Sequence, residues 1–216
     1  MKRQPKAIPP TTLAHLKAHG ISRNLEDAIA NYEMFVVSGT NEEIINSVNK
    51  KSLNPGLNVI SASLHHVIVI SLCRIWDTRS GVDSIPSIKK LLRKDDYKLE
   101  HAKLAEKVGN DNKYVLERPR YDKLLDDIHI ASQSDSLSAI TLTRNNWLAH
   151  SASRDRQFQE NARAEVYGDE RKVIELTIPL VESINYFVGF DFHDLSKLRT
   201  LWNKESTKFW NTVAFD

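Results

Sequence analysis

The chain has 216 residues, 41% of them hydrophobic and 27% charged, with a formal net charge of +2. That length can bury one sizeable core without disulfides or metals, and 7 glycines are few for a β-rich fold with many tight turns. The near balance of 30 basic against 28 acidic residues excludes a globally basic nucleic-acid binder, so any RNA or DNA contact needs a local basic patch.

The opening stretch, MKRQPKAIPP, is basic and has no apolar segment behind it, so it does not read as a signal peptide. Residues 1–10 are expected to form a loose arm. A short helix is predicted from Thr11 to His19, stopped by Gly20. A second is predicted over residues 24–37, capped by Asn24 and ended by Gly39. Another starts with Thr40 or Asn41 as cap, and its first-turn glutamates suit the helix dipole.

Residues 55–76 are the most apolar part of the chain. Leu57, Ile60, Leu64, Val67, Ile68, Ser71, Leu72 and Ile75 keep helical spacing, and Val69, Ile70 and Cys73 add apolar surface on other sides. A helix apolar nearly all round is expected to be a central one. The run VIVISLC is too short to span a bilayer, so a cytoplasmic protein with no membrane partner is expected. Cys73 is the single cysteine, which excludes an internal disulfide, and it reads as a small core residue. No Cys/His cluster has zinc-site spacing, and no metal is expected. His65 and His66 read as polar residues at a helix or subunit contact.

After a loop, Ser84 or Ser87 caps a short helix through Leu92. Helices are predicted over residues 97–108 and 114–130, and SQSDS is a turn or a cap. The stretch ERPRYDK reads as a surface turn before a helix. AEVYGDERKVIEL reads as a small hairpin. The tail returns to helical period over residues 195–216, a C-terminal helical extension in which Trp202, Phe209 and Trp210 read as core or dimer contacts. The whole is predicted to be one all-α up-and-down bundle over residues 1–216, with no internal repeat.

Within it, TLTRNNWLAHS (residues 141–151) carries the chemistry. Leu137, Ile140, Arg144, Trp147, Leu148 and Ser151 recur at spacings of three and four, so Arg144 falls in the middle of an apolar stripe. A buried guanidinium is costly unless it is paired or faces a wet cleft. His150 lies six residues on, about 9 Å along the axis and about 240° round. Asn145 follows the arginine, and Asn146 sits one turn before His150, where it could orient the imidazole.

A histidine near neutral pKa moves protons, and an arginine holds a phosphate bidentately. Together they form a minimal kit for metal-free RNA cleavage. Two such helices across a two-fold axis would supply both acid and base. Arg74, Asp77 and Arg79 are candidates for lining the same cleft. The bland alternative pairs Arg144 with a buried acid such as Asp77 and leaves His150 as a helix C-terminal residue favoured by the dipole.

The segment RNNWLAH resembles the signature of the HEPN superfamily: an arginine, a polar residue, then a histidine after four to six intervening positions. Arg144, Asn145 and His150 match it, with five residues between the first and the last. The filler WLA, the following Ser151 and the upstream LHHVIVISLCRIWDTRSGVDSIPSIKKLL look like the AbiU-like branch, associated with abortive infection. The resemblance covers roughly residues 25–190. It implies a helical bundle that dimerises around its motif helices, with metal-independent endoribonuclease activity in toxin–antitoxin or phage-defence systems and no cofactor. It implies Arg144, His150 and Asn145 as the catalytic set, RNA as substrate, and a nucleotidyltransferase-type antitoxin as a partner. Asn146 enters from helix geometry. The alternative within the same resemblance is a non-catalytic module binding a nucleotide or a protein.

Overall fold

A computed structural model gives the fold and describes residues 8–51, 53–79, 81–107, 118–152, 166–189 and 194–215. The described residues form nine helices: α1 (Pro10–Thr40), α2 (Glu42–Lys50), α3 (Asn54–Ile75), α4 (Ile85–Leu92), α5 (Asp95–Lys107), α6 (Arg118–Ala131), α7 (Asp135–Ala152), α8 (Asp169–Val188) and α9 (Leu195–Phe215). The all-α expectation holds, and no strand occurs among the described residues. The predicted hairpin is replaced: from Asp169 its residues form the first turns of α8, and residues 164 and 165 lie outside the described residues. Gly168 in the left-handed region (φ 97°) lets the chain turn straight into that helix.

Helix α1 is the axis of the bundle, packed by α3, α8 and α9 along its length and by α4 and α5 near its start. Ala14, Ala18, Ile21, Leu25, Ala28 and Tyr32 recur every three or four residues, with Ile29 beside them, and all are buried. The alanines let neighbouring backbones approach closely; the larger side chains fill the space between them. Neither predicted glycine stop breaks α1. Asn24 caps nothing; its amide donates to Gly20 O at 2.9 Å inside the helix. Gly20 serves tertiary packing instead. A Cβ there would lie 2.7 Å from Asp83 Oδ2 and 2.9 Å from Asp83 Cβ, so glycine admits the α3–α4 loop against α1. The break comes at Asn41, whose side chain accepts from Glu43 N and Ile44 N and caps α2.

Helix α3 is not the central helix its composition suggested. Ile68, Val69, Leu72 and Ile75 are buried, but Val59, Ile60, Val67 and Ile70 are exposed. Its C-terminal half alone enters the core; apolar composition cannot distinguish a face covered by neighbours from one left open. As a complete helix of 22 residues, α3 is also long and apolar enough to cross a bilayer by length and composition, which the short run VIVISLC did not suggest.

The C-terminal helix joins the bundle through both apolar and ionic contacts. Leu195 and Leu198 enter the main core. Trp210 closes a smaller cluster with Val37, Ile44 and Val48, and its indole N–H donates to Met34 O at 3.0 Å. Glu33, buried on α1, accepts from Arg199 Nε at 2.8 Å and from Asn203 Nδ2 at 2.7 Å. Phe209 stays 47% exposed. In ERPRYDK, Arg118 onward is already helical and Tyr121 is core rather than surface, its hydroxyl donating to Leu92 O.

Candidate functional site

The motif helix α7 is fixed at its start and supported by α3 in its middle. Ser134 Oγ accepts the Leu137 amide at 3.2 Å and caps it. Ser136 Oγ donates to the buried Asp169 Oδ1 at 2.9 Å, and Asp169 Oδ2 accepts from Val166 N at 3.0 Å. This ties the N-terminus of α7 to that of α8. One turn on, Ile140 is fully buried and its carbonyl accepts a weak bond from the Cys73 thiol at 3.8 Å. Cys73 is therefore the core residue its setting in the sequence suggested.

Arg144 sits one turn beyond the buried Ile140, and it is half-buried. Its guanidinium bonds its neighbour: Nε and Nη2 both donate to Asn145 Oδ1, at 3.2 Å and 2.8 Å. Asn145 thereby orients the guanidinium while leaving its charge intact.

Asp77, the acid expected to neutralise Arg144 in the bland reading, is taken by Arg79. Arg79 donates from Nε to Asp77 Oδ1 at 3.1 Å and Oδ2 at 2.9 Å, from Nη2 to Oδ2 at 2.5 Å, and from its backbone N–H to Oδ1 at 2.9 Å. The Arg79 side-chain bond is the main reason the Asp77 carboxyl is held below its ordinary range. Burial opposes the shift, and the Arg144 charge adds the weakest of the lowering influences. So Asp77 and Arg144 are brought within electrostatic reach without being bonded to each other.

Arg74 lies in the last turn of α3 and is exposed. Among the described residues no hydrogen bond or ion pair joins it to Asp77 or Arg144. Two arginines, Arg79 by direct bonds and Arg144 by its charge alone, act on the one carboxylate of Asp77. Asn146 is half-buried on α7. His150 falls on the last helical turn of α7, and its side chain lies outside the described residues.

The loop after α3 is built to hold its place. Ser84 Oγ donates to Asp77 O at 2.6 Å and accepts Ser87 N at 3.3 Å, so Ser84 rather than Ser87 is the cap of α4. Lys17, buried on α1, donates to Val82 O at 2.7 Å and lies 3.4 Å from Asp83 Oδ1. The sequence reading missed Lys17, although the same signal was present: a cation at an apolar-stripe position, between Ala14 and Ala18.

It also missed the partner of His65. The imidazole Nε2 lies 2.9 Å from Glu170 Oε1, in a part of the chain read as a hairpin. Burial is the strongest single influence on the Glu170 carboxyl and raises its pKa. The hydrogen bond from His65 and the bonds from backbone N–H groups outweigh it, and the net shift is downward. No group of three or more His, Cys, Asp or Glu side chains able to hold a metal occurs among the described residues.

No curated protein and no solved structure matches the chain. The family model of the AbiU2 branch of HEPN proteins matches residues 13–202, a span from the first turn of α1 to the middle of α9 that contains all of α3, α7 and the loop between α3 and α4. The chain belongs to the AbiU2 family of HEPN proteins.

Proposed function

We propose that this protein is a metal-independent endoribonuclease of the HEPN type, acting in phage defence or as a toxin, with Arg144, Asn145 and His150 as its catalytic residues. The observation that carries the reading is Arg144 itself. It stands half-buried one turn beyond the buried Ile140 and bonds an uncharged amide, while the nearby acid is bonded to another arginine. A guanidinium so placed keeps full charge and several donors for a phosphate.

In the proposed reaction a neutral His150 imidazole takes the proton of a ribose 2′-hydroxyl. The 2′-oxygen attacks the adjacent phosphorus, and the bond from phosphorus to the 5′-oxygen breaks. That oxygen takes a proton from a second, protonated imidazole, leaving a 2′,3′-cyclic phosphate and a 5′-hydroxyl. Arg144 stabilises the charge that grows on the non-bridging oxygens. Asn145 holds Arg144 in orientation, and Asn146 orients His150. Arg74 and Arg79 add positive charge along the strand's path.

The second imidazole is His150 of a second copy. Helix α3 leaves Val59, Val67 and Ile70 exposed on one face, which ends at Arg74 beside the motif. A homodimer packed there would bring two motif segments to one groove. A nucleotidyltransferase-type antitoxin is the further partner this reading carries.

The test is RNA cleavage by purified protein in excess chelator. Wild type is expected to cleave to cyclic-phosphate ends, and Arg144→Ala and His150→Ala each to lose roughly 100-fold or more. Phosphate binding through Arg144 with no RNA turnover by wild type would refute the nuclease and leave a binding module.

A further inference from the structure

Helices α1 and α3 and the turn entering α8 line an open cavity of about 310 Å³, apart from the motif. Phe35, Ser61, His65, Val166, Tyr167 and Glu170 line it. Its polar end is the His65–Glu170 pair at 2.9 Å, with the Glu170 side chain 4% exposed and Gly168 N donating to Glu170 Oε2 at 3.2 Å. The remaining wall is aromatic. The Phe35 ring stacks on the His65 imidazole with centroids 5.8 Å apart and planes 25° from parallel. The Tyr167 ring tilts 46° to Phe35 at 6.3 Å. Tyr167 is 71% exposed, an aromatic ring held at the mouth of a cavity with most of its surface in water.

The chemistry narrows the ligand. An organic cation would want carboxylate oxygens free to face it, and both Glu170 oxygens already accept, one from an imidazole and one from a backbone amide. An alkyl chain would gain nothing from the buried polar pair. A flat heteroaromatic ring fits both parts, stacking on the π faces while its hydrogen-bonding edge meets the polar end. The volume is at the small end for ligand sites and suits one such ring with its sugar.

We propose that this cavity binds a single nucleobase, stacked against Tyr167 and Phe35 with its edge toward His65 and Ser61. It is a second site. His65 and Ile75 are ten residues apart along α3, about 15 Å at the helical rise, and Asp77 lies beyond that end of the helix, so the cavity and the motif cannot share one nucleotide. The base comes either from an RNA strand that also reaches Arg144 or from a free nucleotide.

The experiment uses the full chain carrying His150→Ala, so that binding is read without turnover. The four ribonucleoside monophosphates and a short single-stranded RNA are titrated by calorimetry, with Tyr167→Ala and Phe35→Leu added in turn. At least one probe is expected to bind, and Tyr167→Ala to weaken it roughly fivefold or more with the helical signal unchanged. Binding of a monophosphate identifies a free-nucleotide site; binding of RNA alone identifies a strand subsite. No binding by any probe, or binding indifferent to both substitutions, overturns the proposal. Cleavage by the chain with His150 intact is scored separately, so each reading can fail without the other.

Discussion

Replacing Arg144 with alanine distinguishes a guanidinium kept for a ligand from one kept for the fold. In the structure its hydrogen bonds run from a half-buried position to the exposed side chain of Asn145, its own neighbour. Exposed polar pairs of this kind contribute about 0–1 kcal/mol. Asp77 keeps all its bonds to Arg79 and loses only a distant attraction. Alanine is slightly the better helix former, which offsets part of the loss. The stability change is therefore expected within about 1 kcal/mol, a shift in Tm of about 2–4 °C for a chain of this size. RNA cleavage, by contrast, is expected to fall by about 100- to 1,000-fold. Thermal unfolding followed by circular dichroism and cleavage of a fluorogenic RNA in chelator, on the same samples, read both quantities. A stability loss of about 3 kcal/mol or more, the cost of breaking a buried ion pair, would refute the reasoning. So would unchanged cleavage.

Gly20→Ala is expected to cost about 1 kcal/mol in denaturant unfolding, because the clash with Asp83 Cβ at 2.9 Å outweighs the gain in helix propensity. Gly39→Ala, where nothing lies within 4 Å, is the control and is expected to stabilise by up to about 1 kcal/mol; equal effects would show that the loop does not press on Gly20. The pH dependence follows from the shifted groups. The carboxyls of Asp77, Glu170 and Glu175 are lowered in the fold, so their stabilisation is present above the unfolded carboxylate pKa of about 4 and is lost as pH falls through their folded values. Tyr32 is pushed up to about 12, chiefly by burial and next by Tyr167. Its share is present below the unfolded value of about 10 and is lost as pH rises toward the folded one. Urea unfolding across pH measures both limbs; a Tyr32→Phe chain with an unchanged alkaline limb would contradict the Tyr32 assignment.

The helices were legible where the chain carries its own local signal. Buried positions of α1 keep the three-and-four period, Asn41 and Ser84 supply caps, and Ser134 starts α7 where SQSDS marked a turn. The misread elements had local cues that tertiary packing overrode. Gly20 and Gly39 resemble helix stops, yet α1 runs through both. The stretch AEVYGDERKVIEL resembled a hairpin, yet Val173 and Ile174 are buried in α8 because that helix docks on α1 and α7. In α3 the apolar pattern is real, but which part of it meets the core depends on where neighbours end.

The same division holds at the site. An arginine within an apolar stripe and a histidine six positions later are facts of the order of residues, since helical period alone puts Arg144 in line with Leu137 and Ile140. Which acid Arg144 meets is not, because partners fifty or more residues apart are chosen by packing. Arg79, two positions from Asp77, takes that carboxylate at short range and leaves Arg144 to Asn145. His65 finds Glu170 only because α3 and the start of α8 are brought together. Local periodicity and capping determined that this chain is helical and where its unusual cation stands; long-range docking of helices decided which charges are neutralised and which remain available.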